Sequence, residues 1–403
     1  MIVDRISRED DGEALTLSAR VRTSSLGGAE FEMWFRIPSP QAPGGPLDAS
    51  PFLPPLFLMC MFTGEPLAID GPVSTRLLGA TGDIADVCCS FWPDRMRPVP
   101  VDAPAQDVAG SRGGYGCFFT RGVDSWYSVL TEPGFTHLLH LTAFHPPQNR
   151  DARRRALDRA CAVLPQELVH IDTNVYEYRP AAHRLTGAEL GAVALAIGFG
   201  RVAIPSTAMR GELGPLGSHP VLDPLFSTER TEVVHHGEPS RLQKVRALTR
   251  FPEALELLDV CQREAEPLNC GECEKCLRTM LELHAAGASY GNRRFARPLE
   301  PERIAALPRV PRRYWSEALH ALGDSPLDRR LAAAARVALV RSDLVQARDR
   351  VQGLRAEPAL AELDGVASVM ADMAAELAAI DAVLDGVARR FAAPAGATSP
   401  TLG

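Results

Sequence analysis

Four cysteines stand close together in this chain: Cys261, then Cys270, Cys273 and Cys276 in two overlapping C-x-x-C steps. Thiolates are soft ligands, and a tetrahedral zinc ion takes four of them at a closed structural site. Gly271 lies inside the knuckle, where it permits the turn that aims backbone amides at the sulfurs. Cys261 is expected on the helix before the knuckle, closing the shell. Four protein ligands leave no open position for a catalytic water, so such a zinc would be structural. A redox pair and an iron–sulfur cluster are the competing chemistries, and the four-fold grouping favours zinc. The other cysteines, Cys60, Cys88, Cys89, Cys117 and Cys161, lie in apolar surroundings and read as small core residues.

A second stretch could bind an anion. The apolar strand Gly116–Thr120 runs straight into Arg121-Gly122-Val123-Asp124-Ser125 and then a helix. A strand, a tight turn and a helix N-terminus point unpaired amides and the helix dipole at a phosphate. Asp124 or Ser125 would serve as the helix N-cap. The same pattern also occurs in strand–turn–helix units that hold no ligand. Pro205-Ser206-Thr207 ends a later strand, where open α/β sheets place ligands. The Gly/Pro-rich stretch from Gly214 to Glu229 follows it, with His219 and Asp223 as acid–base candidates or, equally, as turn caps. His183 is a lesser pocket candidate, and His235-His236 reads as a surface pair.

These motifs carry a resemblance. The segment FTRGVDSWYSVL resembles the PP-loop of the N-type ATP pyrophosphatases, in the adenine nucleotide alpha hydrolase superfamily, whose fingerprint is Ser-Gly-Gly-x-Asp-Ser after the first strand. NCGECEKCLRTM resembles the zinc knuckle of the 7-cyano-7-deazaguanine synthases, including Arg278 just past the last cysteine. The resemblance spans residues 113–285 and implies ATP, Mg2+ and Zn2+ as cofactors. Thr120 and the amides from Arg121 to Ser125 would grip the ATP phosphates. A carboxylate or amide oxygen would attack the α-phosphate, releasing pyrophosphate, and a nitrogen or sulfur nucleophile would then displace AMP. The substrate would be a small acid or amide, or a protein carrying one. Ser240, Arg241 and Lys244 fall where such proteins place a phosphate contact ahead of a helix; a solvated helix face is the plainer reading.

The loop departs from the fingerprint at Arg121, which replaces the first glycine. A positive φ there would cost an arginine about 1–2 kcal/mol, and its side chain would either fill the pocket or add a phosphate clamp. The regions outside the resemblance have no counterpart in the synthases, which implies a different substrate. The alternative is a degenerate PP-loop protein that binds a nucleotide or a partner without turnover.

The elements that must position these residues read as an α/β protein: a parallel, Rossmann-like sheet with helices on both faces. Strands at Gly116–Thr120, Leu138–Phe144, Leu168–Asp172 and Arg201–Pro205 alternate with helices at Ser125–Leu130, Asp151–Leu164 and Gly187–Phe199. Residues 1–105 form an N-terminal α+β unit, 110–300 the loop-and-knuckle domain, 301–392 a helical extension and 393–403 a disordered tail, with Pro98–Val108 as a linker. In the extension, Leu363, Val366, Met370, Met373, Leu377, Ile380, Leu384, Val387 and Phe391 recur by threes and fours. This is a helical hairpin packed on its own domain or a homodimer contact.

A formal charge of −7 carries no electrostatic footprint for nucleic acid, which also counts against RNA thiolation. The basic run Arg150–Arg159 reads as a solvated helix face. No apolar leader is visible, and the longest apolar run, Pro51–Phe62, falls short of the roughly 20 residues of a membrane span. A cytoplasmic protein is expected.

Overall fold

The computed structural model describes residues 1–25, 28–108, 110, 112–142, 150–177, 185–207, 214–261, 263, 269–288, 294–355 and 366–391. Contacts divide the chain into two compact units, Met1–Lys244 and Val245–Gly403.

The first unit is built on a ten-stranded sheet. Its N-terminal part comprises β1 (Ile2–Asp10), β2 (Ala14–Arg22), β3 (Glu30–Pro38), α1 (Leu53–Thr63), β4 (Leu67–Ile69), β5 (Val73–Ser74), α2 (Thr75–Gly79), α3 (Thr81–Phe91), β6 (Val101–Asp102) and β7 (Ala105–Gln106). Then follow β8 (Arg112–Phe118), α4 (Val123–Thr131), β9 (His137–Leu141), α5 (Arg150–Cys161), β10 (Glu167–Thr173), α6 (Thr186–Ile197), β11 (Phe199–Pro205), β12 (Glu232–His236) and α7 (Arg241–Leu248). The strand order is β12-β11-β8-β9-β10-β3-β2-β1-β4-β6. Every neighbour from β12 to β10 is parallel. The meander β1–β3 joins antiparallel, through Asp172 opposite Arg36. Six of the nine ladders are parallel, so the sheet is mostly parallel and flanked by helices.

Local sequence explains this arrangement. Leu138, Leu139, His140 and Leu141 of β9 are all buried, as in a strand covered on both faces. Strand β2 alternates buried Leu15, Leu17, Ala19 and Val21 with less buried neighbours, the pattern of one packed face. Helix α1 is apolar all round and is buried from Leu53 to Met61, where it packs on α6. The stretch expected as a linker, Pro98–Val108, instead contributes β6 to the large sheet and β7 to a ladder with β5. Backbone pairing, which composition does not report, decided this. The basic run forms α5, which buries Ala156, Leu157 and Ala160 and exposes Arg154, Arg155 and Arg159.

The second unit is helical: α8 (Pro252–Leu257), α9 (Glu274–Ala285), α10 (Pro301–Ala305), α11 (Arg312–His320), α12 (Pro326–Arg355) and α13 (Val366–Phe391). Trp315 of α11 is fully buried and donates its indole N–H to Glu274 at 2.8 Å, tying α11 to the start of α9. Helices α12 and α13 pack against each other, with Arg341 paired to Asp385 at 2.8 Å. Among the described residues, no helix is long and apolar enough to cross a membrane.

Candidate functional site

Strand order decides where a ligand can sit. From β8 the chain moves to β9 and β10 on one side, then returns to place β11 and β12 on the other. The two directions part between β8 and β11, and open α/β sheets bind ligands at the carboxyl ends of strands at such a switch point. A cavity of about 410 Å3 lies there. Its rim is Thr120, Gly122, Asp124 and Ser125 after β8, Thr207 after β11, and Ser218 from the following loop; Leu139, Leu141 and Ile204 supply an apolar floor. A larger depression of about 690 Å3 borders Thr23, Ser24 and Glu65. There the Glu65 carboxylate is already taken up by the hydroxyl of Thr23 and the amide of Ser24.

The loop residues fall at the mouth of the cavity. Helix α4 begins at Val123, so Gly122, and neither Asp124 nor Ser125, is its N-cap. Ser125 instead accepts from the Thr120 amide at 3.3 Å and donates to the Gly122 carbonyl at 3.1 Å, bracing the turn. Arg121 sits at φ +62°, in the left-handed region. Its side chain is buried and is not among the cavity-lining groups, so it does not plug the space. Asp124 is the meeting point of two cations: Lys244 Nζ lies 3.1 Å from one carboxylate oxygen and Arg241 3.4 Å from the other. Lys244 is 1% exposed and also donates to the Ser206 carbonyl, so it does not belong to a solvated helix face. Ser240 accepts from the Gln243 amide at 3.2 Å, in the first turn of α7. Two cations, Arg241 and Lys244, therefore meet at one carboxylate beside the cavity.

The second wall comes from the stretch after β11. Gly187, at the start of α6, donates to the Gly217 carbonyl at 2.6 Å. A Cβ at Gly187 would meet Asp223 Oδ1 at 2.4 Å, so only glycine allows this approach. Asp223 is fully buried, in a 3-10 turn. It accepts from the Ser218 hydroxyl at 2.7 Å and the His219 amide at 3.1 Å, and it pairs with His235 Nδ1 at 2.7 Å. His219 is buried with its ring edge-on to Phe91, and its Nδ1 accepts from the Val221 amide at 3.2 Å. Neither His219 nor Asp223 lines the cavity; they hold in place the loop that brings Ser218 to its wall.

His235 and His236 are not a surface pair. The His235 side chain is 3% exposed and bound to Asp223. His236 is half-buried, 3.0 Å from the Ser128 hydroxyl and edge-on to Phe135. Burial pushes the His236 imidazole below its ordinary value, and nearby Lys244 acts in the same direction. Both histidines end β12, the strand next to β11. Their strand-end position was the available signal; the hydropathy of the pair alone suggested a surface. Thr207, expected at a strand end, does line the cavity, whereas Ser218 and His235 were not singled out as site-forming residues. His183 lies outside the described residues.

In the second unit, Cys261, Cys270, Cys273 and Cys276 converge so that their sulfurs all lie within 4.8 Å of one another. Four thiolates about 2.3 Å from a tetrahedral zinc would stand about 3.8 Å apart, and Cys270 and Cys276 are 3.8 Å apart. Amides of Glu272 and Cys273 point at the Cys270 sulfur at 3.4 and 3.3 Å, and that of Arg263 at Cys261 at 3.3 Å. Gly271 adopts φ +71°, and a Cβ there would lie 2.6 Å from the Arg297 carbonyl. Cys261 does not lie on the preceding helix. Helix α8 ends at Leu257, and Asn269 holds the Cys261 amide at 3.1 Å from outside any helix. With protons alone, the neighbouring Cys273 thiol pushes Cys261 up to about 11, and Cys261 pushes Cys276 up as well. A bound dication would take the place of those protons. The donor set fits zinc.

The remaining cysteines are free thiols. Burial pushes Cys60, Cys88 and Cys161 up to about 12 and Cys117 higher still.

Fold and site together define a mostly parallel α/β protein with a switch-point cavity and a four-thiol cluster compatible with zinc. Comparison with protein-family models, curated proteins and solved structures found no match to this chain.

Proposed function

We propose that this chain is an ATP-dependent, adenylate-forming enzyme of the PP-loop type, resembling the 7-cyano-7-deazaguanine synthases. The observation that carries the reading is the position of the Thr120–Ser125 loop: it opens α4 and rims the cavity at the sheet's switch point. ATP enters as its magnesium complex, and its phosphates meet the amides at the α4 N-terminus and the exposed Thr120 side chain. The Arg241 and Lys244 side chains at Asp124 match charge that builds on the α-phosphate as a carboxylate or amide oxygen attacks it. The apolar floor at Leu139, Leu141 and Ile204 suits a planar base or an apolar acyl group. In this reading zinc holds the knuckle shape and takes no part in the chemistry.

A second reading rests on Lys244. Its ammonium is already committed to Asp124 and the Ser206 carbonyl, as in a protein that binds a nucleotide without turning it over. One experiment separates the two. The purified chain is incubated with magnesium, ATP and a panel of carboxylic acids and amides, and AMP and pyrophosphate are quantified. Acid-dependent release of both supports the enzyme. Saturable ATP binding without AMP supports the second reading, and no ATP binding sinks both.

A further inference from the structure

One hydroxyl in the cavity wall has its proton already committed. Ser218 is half-buried where it lines the cavity, and it donates to Asp223 Oδ2 at 2.7 Å. A serine hydroxyl carries a single proton, so Ser218 Oγ has only lone pairs left for a ligand. The carboxylate behind it is saturated with donors. The His219 amide reaches Oδ1 at 3.1 Å, and His235 Nδ1 shares Oδ2 with Ser218 at 2.7 Å. Asp223 is fully buried, so these partners hold it and the serine in one arrangement. A lone-pair-only oxygen attracts an N–H and repels a carbonyl or carboxylate oxygen.

We propose that Ser218, oriented by Asp223, selects an amine or primary amide N–H in the cavity over the carbonyl or carboxylate oxygen that could replace it. Ser218 is a specificity-determining residue and Asp223 its positioning residue. The proposal rests on the reading that this cavity holds the reactants. Within that reading the N–H belongs either to the 6-amino group of adenine or to an amide acceptor lying on the apolar floor of Leu139, Leu141 and Ile204.

Asp223→Asn reverses the arrangement without changing its shape. The His219 amide keeps the asparagine oxygen at the Oδ1 position, so the NH2 group takes the Oδ2 position. It then donates to Ser218 Oγ and to His235 Nδ1, which accepts in its other tautomer, and the Ser218 proton turns to the ligand.

Two binding comparisons on the full chain test this. One sets ATP against inosine triphosphate, with magnesium, by calorimetry. The other sets benzamide against benzoate by ligand-observed NMR. In at least one comparison wild type should favour the N–H ligand by about tenfold, and the responding pair identifies which group meets Ser218. Ser218→Ala should bring that ratio close to one while still binding the oxygen analogue. Asp223→Asn, checked for folding by circular dichroism, should turn the ratio in favour of the oxygen analogue; if it does not fold, Ser218→Ala decides alone. A ratio near one in both wild-type comparisons overturns the proposal. So does a preference that Ser218→Ala leaves intact, or a folded Asp223→Asn that weakens both ligands equally. ATP bound with neither preference sinks this inference and leaves the adenylation reading standing. A benzamide preference in a chain that takes no nucleotide does the reverse, and a chain that binds none of the four ligands overturns both.

Discussion

The Lys244 ammonium lies 3.1 Å from the Asp124 carboxylate and also donates to the Ser206 carbonyl, so one buried side chain joins α7 to the first turn of α4 and to the residue after β11. Removing one partner of a buried pair leaves the other charge unmatched, which costs about 3–5 kcal/mol in full burial. Asp124 keeps 19% side-chain exposure, so Lys244→Met should cost about 2 kcal/mol in urea denaturation. Asp124→Asn combined with Lys244→Met should cost less than the sum of the two single changes. Strict additivity would show that the pair is not coupled.

Arg121 holds a left-handed backbone, which a β-carbon disfavours by about 1–2 kcal/mol. Alanine there keeps that penalty and loses the buried guanidinium, whereas glycine loses the guanidinium but relieves the backbone. Arg121→Gly should therefore be more stable than Arg121→Ala by about 1 kcal/mol. Equal stabilities would mean that the loop relaxes and carries no strain. The same pair tests the loop's role: both variants should retain ATP binding, because the Arg121 side chain does not line the cavity.

The thiol cluster should bring one zinc per chain through purification, measured by mass spectrometry. Cys273→Ser should lower that content to well under half. Gly271→Ala forces a β-carbon into the Arg297 backbone, and it should lose metal as well although every ligand remains. Because zinc binds thiolates, metal should also be released as pH falls below about 5. Retention of full zinc by Gly271→Ala would remove the knuckle geometry from the argument.

His236 sets a pH dependence with a definite sign. Burial lowers its folded value beneath 6.5, so the unfolded chain takes up a proton first as pH falls. Its contribution to stability is complete above 6.5 and is lost as pH drops through the lower folded value. The melting temperature should fall between pH 7 and pH 5 by more in wild type than in His236→Gln. An imidazole titration followed by NMR should show a midpoint below 6.5; a midpoint above it contradicts the burial argument.

Much of this protein was legible in residue order because the information is local. The C-x-x-C steps around Gly271 placed three sulfurs in one knuckle, since neighbours in sequence cannot be far apart. The alternation of apolar strands and helices from Gly116 to Pro205 indicated an α/β sheet, since side-chain periodicity is a property of single elements. From residue order alone, a positive φ at Arg121 is only a condition with a cost, and the backbone meets that condition. Other features depend on which distant segments meet. That β10 pairs with β3, carrying the N-terminal meander into the same sheet, follows from backbone edges that carry no side-chain signature. Asp223 scaffolds a loop while Ser218 faces the cavity, because a buried carboxylate takes whichever donors the packed loop supplies. Lys244 reads in the sequence as either a phosphate contact or part of a solvated helix face, and it is buried because Asp124, 120 positions earlier, provides the countercharge. The apolar repeat of α13 reads the same whether it packs on its own domain or on another copy, and only the tertiary structure sets α12 against it.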